Sequence, residues 1–404
     1  MSVDKPVLLG GSPLLTETPP LARPPLLREH GDLLAVFGEI VAGGTLTKGG
    51  HLAALEAELA EFLGVAHTVA VSSCTSGLML LMRVLGAGGE VVMPSFTFMA
   101  SAHAARWNGL RPVFADIDPG GFGLSAAAAA QATGDRTVAI LGVHVFGTPC
   151  DADALAEVAA ARGVPLLLDA APAFGAVYPD GTRVGGKGLA EVFSLSPTKP
   201  FTAGEGGIVT TSDESLAREL RIAREYGNPG SFDSLFVGLN ARMPELSAAL
   251  ARHQLPGFPD LLARRLALVQ RYRAALADVP GIEFPRVPPG ATSTHKDLSL
   301  TVDPALFGIE RDTLVVALRA ENVPTRNYFD PPVHRQTAYR EAVSGPLPNT
   351  EARASAVFAV PLYSGMTDDV VDRICAVIRR VQAHADSVAQ AVRPTPQMRS
   401  VEHV

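Results

Sequence analysis

Short aliphatic runs alternate with alanine-rich segments through the first half of the chain. Two of these segments, Ser125–Ala132 and Ala152–Ala161, predict helices. The aliphatic runs carry no regular polar alternation, which is typical of strands covered on both faces. They are Glu90–Met93, Pro112–Ala115, Val138–Val143, Val164–Leu168 and Gly207–Thr210. Continuous apolar strands separated by helices predict an α/β fold built on a mainly parallel sheet.

The 404 residues are predicted to divide into four parts. Residues 1–30 contain six prolines and predict an extended segment on the surface or on a partner subunit, whereas residues 31–280 hold the large domain. Four prolines in Pro280–Pro289 mark a boundary, so that 281–386 form a smaller α/β domain and 387–404 a tail. Additional predicted elements are the helices His51–Leu63, Met243–Leu276, Arg311–Glu321 and Asp368–Ala385 and the strand Leu298–Val302.

Composition excludes several classes of protein. A net charge of −7 and a pI near 5.8 give no basis for binding nucleic acid or an anionic membrane. No apolar run reaches the roughly 18 residues of a spanning helix, and the first thirty residues do not resemble a signal peptide. Three scattered cysteines show no metal-ligand spacing and fit reduced thiols. The sequence therefore predicts a cytoplasmic protein without a metal site.

Polar residues follow several of the predicted strands. In parallel sheets the ligand lies at the carboxyl ends of the strands, where this sequence places Ser95, Asp116, His144 and Asp169. A buried histidine with satisfied hydrogen bonds is the commoner explanation for His144. The pattern predicts a binding site at this end of the sheet, assembled from several strand ends.

Lys199 is one of five lysines in the chain, which takes most of its positive charge from arginine. It follows the apolar segment that ends in Ser194, and a glycine cluster, Gly204–Gly207, comes soon after it. Burial lowers the pKa of a lysine, and a neutral amine is a nucleophile that forms Schiff bases with carbonyl groups. Lys199 is therefore the leading candidate for a catalytic residue.

Other candidates each admit two interpretations. Asp169 is suited to pairing with a protonated pyridine nitrogen, but strand-end aspartates also cap helices. Thr75 and Ser76 stand where a helix begins, either binding phosphate or capping the helix. Phe98 is placed to stack on a flat ring or to pack in the core. Asn240 precedes a helix, where capping is the simpler role.

Taken in order, these motifs resemble the DegT/DnrJ/EryC1/StrS family of pyridoxal-phosphate aminotransferases. The resemblance covers about Leu9 to Arg380, and the pair Ser194–Lys199 with Gly204–Gly207 is its most specific part. The other matching motifs are Val71–Ser76, Pro94–Phe98, Pro112–Asp118, Val143–Gly147, Asp169–Ala171 and Gly238–Glu245. The family implies a fold-type-I architecture, pyridoxal 5'-phosphate as cofactor, and a large domain with a seven-stranded sheet followed by a small C-terminal domain.

The resemblance also implies roles for individual residues. Lys199 would form the Schiff base with the cofactor and then move the proton at the substrate carbon. Asp169 would pair with the pyridine nitrogen, and Phe98 would stack on the ring. The reaction would proceed in two halves, with glutamate as amino donor and a keto-sugar as acceptor.

The cofactor's phosphate would be held, by the same resemblance, by Thr75, Ser76 and Ser194. Asn240 would reach it from the neighbouring subunit of a homodimer, since the family builds its active sites at a dimer interface. Candidate substrate residues in the C-terminal domain are His295, Lys296 and Arg326, and a solvated surface role is equally compatible with each of them.

Three residues depart from the family pattern. Pro172 replaces a Gln or His near the cofactor's hydroxyl and cannot donate a hydrogen bond. Cys74 replaces a small residue in the phosphate loop, and Ser196 replaces a His or an aromatic. The expected substrate is a small-molecule ketone, first a nucleotide-linked deoxysugar. A cyclitol or other non-sugar ketone remains an alternative, whereas a dehydratase or a non-catalytic regulator is disfavoured because Lys199 is retained.

Overall fold

The computed structural model describes residues 5–25, 31–86 and 88–392. The α-helices in these ranges are α1 Gly31–Gly43, α2 Gly50–Leu63, α3 Cys74–Val84, α4 Ala100–Trp107, α5 Ala126–Ala132, α6 Ala152–Ala161, α7 Glu214–Ala223, α8 Glu245–Gln254, α9 Phe258–Leu276, α10 Pro304–Phe307, α11 Arg311–Ala320, α12 Pro348–Ala356, α13 Asp368–Ala383 and α14 Ala385–Ala391. The strands are β1 His67–Val71, β2 Glu90–Pro94, β3 Arg111–Ala115, β4 Thr137–Val143, β5 Leu166–Asp169, β6 Ala190–Ser194, β7 Gly207–Thr211, β8 Ile282–Glu283, β9 Leu298–Val302, β10 Val343–Ser344 and β11 Val357–Val360. Short 3-10 helices occur at Val7–Leu9, Val145–Gly147, Leu255–Gly257, Val333–Arg335 and Thr337–Tyr339.

The large sheet confirms the predicted α/β class. Its strand order is β1-β7-β6-β5-β4-β2-β3-β10. All neighbours from β6 to β10 are parallel, whereas β7 is antiparallel to both β6 and β1. Seven strands form the mainly parallel sheet that was expected, and the two-residue β10 extends it beside β3. The carboxyl ends of β2 to β6 therefore lie together.

The sheet is covered on both faces, which explains the continuous apolar runs. In β5, Leu166 and Leu168 join the core that contains α2, α5 and α6, while Leu167 joins the core on the opposite face with α3, α4 and α7. Each fully buried leucine contributes about 1.5–3 kcal/mol, so burial on both faces favours an unbroken run of apolar residues in Leu166–Leu168.

A second, antiparallel sheet of order β11-β9-β8 lies in the C-terminal part. It packs with α11 and α13 around a separate core, and Leu268, Val269 and Tyr272 of α9 belong to this core as well. The β10 strand, in contrast, comes from the C-terminal part and pairs with the large sheet. The domain limits at 280–289 stay a prediction, and the predicted tail begins inside α14, with residues 393–404 outside the described ranges.

Residues 5–25 pack against the C-terminal part of the same chain. The buried carboxylate of Glu321 accepts hydrogen bonds from the amides of Val7 (3.0 Å) and Leu14 (3.3 Å) and pairs with Arg380. Leu15 is buried in the second core. Residues 26–30 of the predicted extended segment lie outside the described ranges.

Two helix predictions differ from the structure. The stretch Met243–Leu276 forms two helices, α8 and α9, because Pro256 lacks the N–H that an α-helical ladder needs at the turn Leu255–Gly257. The sequence also gave no sign of α1, whose Leu34 is largely exposed and disturbs the one-sided apolar pattern. No helix in the described ranges is long and apolar enough to cross a membrane.

Candidate active site

Lys199 differs in its charge partners from three of the other four lysines. Lys48, Lys187 and Lys296 each form an ion pair with a carboxylate. In the described part of the chain the half-buried Lys199 forms no ion pair, and its backbone amide is bonded to Ser196 (3.0 Å). Burial, aided by the positive charge of Lys296, holds the pKa of Lys199 below its ordinary value. The amine is thus available as a nucleophile and as a base.

Asp169 ends β5 with its carboxylate fixed in place. It is 4% exposed and accepts hydrogen bonds from the Ser101 hydroxyl (2.6 Å) and the Ala171 amide (3.0 Å). The Cys74 thiol also points to it, 3.9 Å away, and burial together with the charge of Asp169 raises the thiol's pKa. Because Cys74 stays protonated, it donates to the carboxylate rather than repelling it. Ser101 was missed by the sequence reasoning, although it lies three residues beyond Phe98.

The turn before α3 offers free amides. Ser73 caps the helix and forms a reciprocal capping box with Ser76, with both bonds at 3.0 Å. The first intrahelical bond is that of Gly77, so the amides of Cys74 and Thr75 precede the ladder and can bind an anion. Capping, the simpler interpretation, therefore accounts for the hydroxyl of Ser76.

Gly207 brings β7 against this turn. A Cβ atom at Gly207 would lie 2.5 Å from the carbonyl carbon of Ser73. Only glycine allows so close an approach of two backbones, which accounts for one member of the Gly204–Gly207 cluster. Ser194, at the end of β6, is buried as well, and its hydroxyl accepts only a long hydrogen bond from Ser196 (3.4 Å).

The two aromatic residues after β2 separate into different environments. Phe96 is fully buried among Phe122, Phe146 and Phe329. Phe98 is 57% exposed, so its ring has a free surface on which a flat ligand could stack.

Asn240 is exposed and lies beside the α3 turn. The carbonyl oxygen of the next residue, Ala241, accepts a hydrogen bond from the amide of Ser72 (2.8 Å) in the same chain. Its role toward a partner subunit stays a prediction.

Two of the three substrate candidates meet near Lys199. Lys296 pairs with Asp297 (2.9 Å), whose carboxylate also accepts from the hydroxyl of Tyr328 (3.3 Å). Arg326 donates to that hydroxyl (3.0 Å). The charges of Lys296 and Asp297 act on the pKa of Lys199, so this pair lies within electrostatic range of the amine. Asp297 and Tyr328 were missed, and only their position beside the named candidates could have revealed them.

His295 differs from the other two candidates. It is buried, and its pKa is lowered to about 3 by that burial and by the charges of Arg273 and Arg265. It is therefore neutral at physiological pH, and the arginines that act on it lie on α9. One of them, Arg265, also donates to the carbonyl oxygen of Lys296 (2.6 Å).

The remaining strand-end residues bind other parts of the chain. Ser95 is hydrogen-bonded to His334 (2.7 Å), and Asp116 accepts from Thr350 (2.8 Å). His144 is a buried histidine with satisfied hydrogen bonds: Nδ1 accepts from the Cys150 amide (3.0 Å), and Nε2 faces Glu191 (3.1 Å).

Pro172 lies against the C-terminal part. Its carbonyl oxygen accepts from the hydroxyl of Thr294 (2.7 Å). Gly147, with φ +89°, leaves room for this contact, because a Cβ there would lie 1.9 Å from the Thr294 oxygen. The side chain of Pro172 cannot donate a hydrogen bond, but the contact with its carbonyl oxygen brings the hydroxyl of Thr294 close to this position.

These groups match the chemical demands of pyridoxal phosphate. The cofactor needs a carboxylate for its ring nitrogen, donors for its phosphate and an amine for its aldehyde. Asp169 is a fixed anion, the amides of Cys74 and Thr75 are free donors, and Lys199 has a lowered pKa without a carboxylate partner. The exposed ring of Phe98 adds a stacking surface. The residues present therefore fit the cofactor.

Comparison with known proteins gives the same assignment. Residues 28–379 match the DegT/DnrJ/EryC1/StrS aminotransferase family. The spore coat polysaccharide biosynthesis protein SpsC of Bacillus subtilis is 34% identical over 369 residues, which cover 86% of this chain and 94% of SpsC. The erythromycin biosynthesis protein EryC1 of Saccharopolyspora erythraea is 35% identical, covering 87% and 96%.

Among solved structures, that of DesI in the presence of its TDP-sugar product superposes with a TM-score of 0.90. It is 36% identical, covering 96% of this chain and 99% of DesI. DesV, solved as a complex with a ketimine intermediate, superposes at 0.78 with 31% identity, covering 93% and 100%. The predicted fold, cofactor and type of reaction are confirmed. The chain belongs to the DegT/DnrJ/EryC1/StrS family of pyridoxal-phosphate-dependent aminotransferases.

Proposed function

We propose that this aminotransferase moves an amino group from glutamate to the keto carbon of a nucleotide-linked deoxysugar. The observation that carries the proposal is the amine of Lys199, which has no carboxylate partner in the described chain and feels the charge of Lys296. Arg326 is linked to the same group through Tyr328 and Asp297. Both substrates are anionic, one through its carboxylates and the other through its diphosphate. DesI has a TDP-sugar product, and a relative from Acidithiobacillus ferrooxidans, 32% identical, is named a UDP-sugar 3-aminotransferase.

Lys199 would act as the base and acid at the reacting carbon. Bound pyridoxal phosphate supplies an electron sink for the bond that breaks there. The neutral amine of Lys199 would accept the proton from the substrate carbon, and the resulting ammonium would return it two atoms away, on the other side of the transferred nitrogen. The fixed carboxylate of Asp169 keeps a proton on the ring nitrogen, since Ser101 and Ala171 hold it in one orientation.

Phosphate binding would combine the free amides of the α3 turn with nearby hydroxyls. Cys74 and Thr75 offer the amides, and Thr75 and Ser194 offer hydroxyls at the same end of the sheet. The hydroxyl of Ser76 would first have to leave its capping bonds to Ser73. Donors at a helix N-terminus stabilise a phosphate because the helix dipole adds partial positive charge.

The active site would be completed by a second copy of the chain. The segment leading to Asn240 exposes Phe232, Leu235 and Val237, each more than half accessible. Apolar side chains grouped on one loop are typical of a subunit interface. We propose a homodimer in which Asn240 reaches the partner's phosphate site.

The dimer is tested by mixing inactive subunits. Lys199→Ala and Asn240→Ala chains are unfolded together and refolded in equal amounts. If Asn240 acts across the interface, each mixed dimer holds one intact site, and about a quarter of wild-type activity returns. If Asn240 acts within its own chain, mixing restores nothing.

The substrate is tested in two half-reactions. The protein is loaded with pyridoxal phosphate, and glutamate should bleach the visible absorbance and release 2-oxoglutarate. The aminated form is then offered TDP- and UDP-linked 3-keto and 4-keto deoxysugars and keto-cyclitols. Recovery of the absorbance with a nucleotide sugar supports the proposal. Recovery of the absorbance only with a keto-cyclitol would contradict a sugar as the acceptor. The absence of a reaction with glutamate would contradict glutamate as the amino donor.

A further inference from the structure

Ser95 connects the large sheet to the C-terminal part through three hydrogen bonds. It follows β2 and is 0% exposed. Its hydroxyl lies 2.7 Å from Nδ1 of His334 and accepts from the amide of His334 (2.9 Å). Its carbonyl oxygen accepts from the amide of Val333 (3.1 Å). A buried serine that engages both the backbone and the side chain of one histidine fixes that residue closely.

The residues just before His334 carry part of the candidate active site. Phe329 packs edge-on against Phe96 (5.2 Å between ring centroids) and parallel to Phe146 (5.8 Å). Its neighbour Tyr328 joins Asp297 and Arg326 next to Lys199. The segment 326–334 is therefore anchored at one end by Ser95 and contributes to the site at the other.

We propose that Ser95 and His334 are positioning residues that hold Tyr328 and Arg326 over the reacting centre. Ser95 lies three residues before Phe98, so the same stretch of chain presents the exposed aromatic ring and anchors the opposite wall of the cleft. The two walls are thus fixed relative to each other by side chains that touch neither substrate nor cofactor. The inference rests on the proposed function of this cleft.

The geometry sets the protonation of His334. The hydroxyl of Ser95 accepts from the backbone amide of His334, and we assign its own proton to Nδ1, because the tautomer that carries the ring proton on Nε2 directs that proton toward Glu351. Burial lowers the pKa of His334, and Arg335 adds to this, whereas Glu351 and Asp116 oppose it. Since the folded pKa lies below the ordinary value of 6.5, the bond is intact above that pH and is lost as pH falls through the folded pKa.

Two substitutions separate the nitrogen atoms of the histidine. His334→Asn places an amide oxygen where Nδ1 stands, and His334→Gln places its amide near Nε2. Nε2 faces the exposed Glu351 at 3.5 Å, a contact that contributes little to stability. Glu351→Gln is therefore the matched control and should leave the kinetics unchanged.

The holoenzyme is assayed with glutamate and with its keto-sugar acceptor. We expect His334→Gln to raise KM about tenfold with kcat within about twofold, and His334→Asn to stay within about twofold of wild type. The visible absorbance of the cofactor should be the same in all variants. Equal KM values for the two variants, or a loss confined to kcat, would overturn the proposal.

A second measurement covers variants that fold poorly. Ser95→Ala removes one hydroxyl, and hydrogen exchange should accelerate in residues 326–334 but not around Asp169 and Lys199. Unchanged exchange in 326–334 would overturn the inference. The glutamate half-reaction and hydrogen exchange need no sugar. If the proposed acceptor were wrong, the wild-type enzyme would fail only in the second half-reaction, and hydrogen exchange would still test the role of Ser95.

Discussion

The carboxyl end of one sheet serves two purposes in this protein. At β5 and β6, Asp169 and Ser194 face the cleft, and the amine of Lys199 has no carboxylate partner in the described chain. At β2 and β3, Ser95 and Asp116 are buried and fully engaged with the C-terminal part. The same residue types at equivalent positions are thus proposed to bind a ligand at one place and are seen to bind the protein itself at the other.

Hydrogen-bond completeness distinguishes the α3 turn from Asp116. Buried polar groups in a native protein are paired, so one that is left with spare capacity indicates a missing ligand. Asp116 accepts from three donors of α12. The α3 turn, in contrast, leaves two amides without an acceptor in the helix.

The largest expected effect is at Lys199. Lys199→Ala should abolish the visible absorbance of the bound cofactor and reduce turnover by at least about a thousandfold, because both the nucleophile and the proton carrier are lost. The control is Lys187→Ala, which removes a lysine paired with Asp153 and Asp180 before the amino end of β6. That control should keep its absorbance, and an active Lys199→Ala protein would contradict the assignment.

The next effect compares aspartates at the two kinds of strand end. Asp169→Asn should reduce turnover by about a hundredfold or more, because the neutral amide no longer stabilises a protonated ring nitrogen. Steady-state kinetics of the loaded enzyme measure this. A loss of less than about threefold would show that Asp169 does not pair with the ring.

The same substitution at Asp116 should change stability instead of chemistry. Asp116→Asn replaces an acceptor facing the Asn349 and Thr350 amides, which costs about 1–3 kcal/mol in the free energy of unfolding. Urea unfolding measures the cost, and turnover per folded molecule should stay near wild type. If Asp116→Asn lost the cofactor absorbance and kept its stability, Asp116 would act on the cofactor as Asp169 is proposed to do, and the two strand ends would not differ in role.

The smallest effect concerns the charge beside Lys199. The Lys296 ammonium helps to lower the Lys199 pKa, so Lys296→Met should raise that pKa. The pH profile for cofactor capture by the apoprotein would then move to higher pH. Lys48→Met, which breaks only a distant ion pair with Glu225, is the control. A shift to lower pH would contradict the electrostatic argument.

The sequence predicted the sheet because buried parallel strands leave a strong local pattern. The same pattern drew attention to Asp169 and Ser194 at strand ends, whereas Lys199 was chosen because lysine is rare in this chain, and the roles of all three stay predictions. The sequence could not show that Ser95 and Asp169 differ in role, since each is a polar residue that follows an apolar run. Ser101, Asp297 and Tyr328 depend on contacts between elements far apart in the chain. Their roles appear only once α4 and the C-terminal segment are placed against the large sheet.

The contact between Glu321 and the first residues has a consequence for synthesis. Val7 is separated from Glu321 by 314 positions, yet its amide completes the hydrogen bonding of that buried carboxylate. A ribosome makes Val7 early and Glu321 late, so the earliest segment must wait for its partner. Fusions that restrain the amino terminus should therefore slow the last step of maturation more than fusions placed elsewhere.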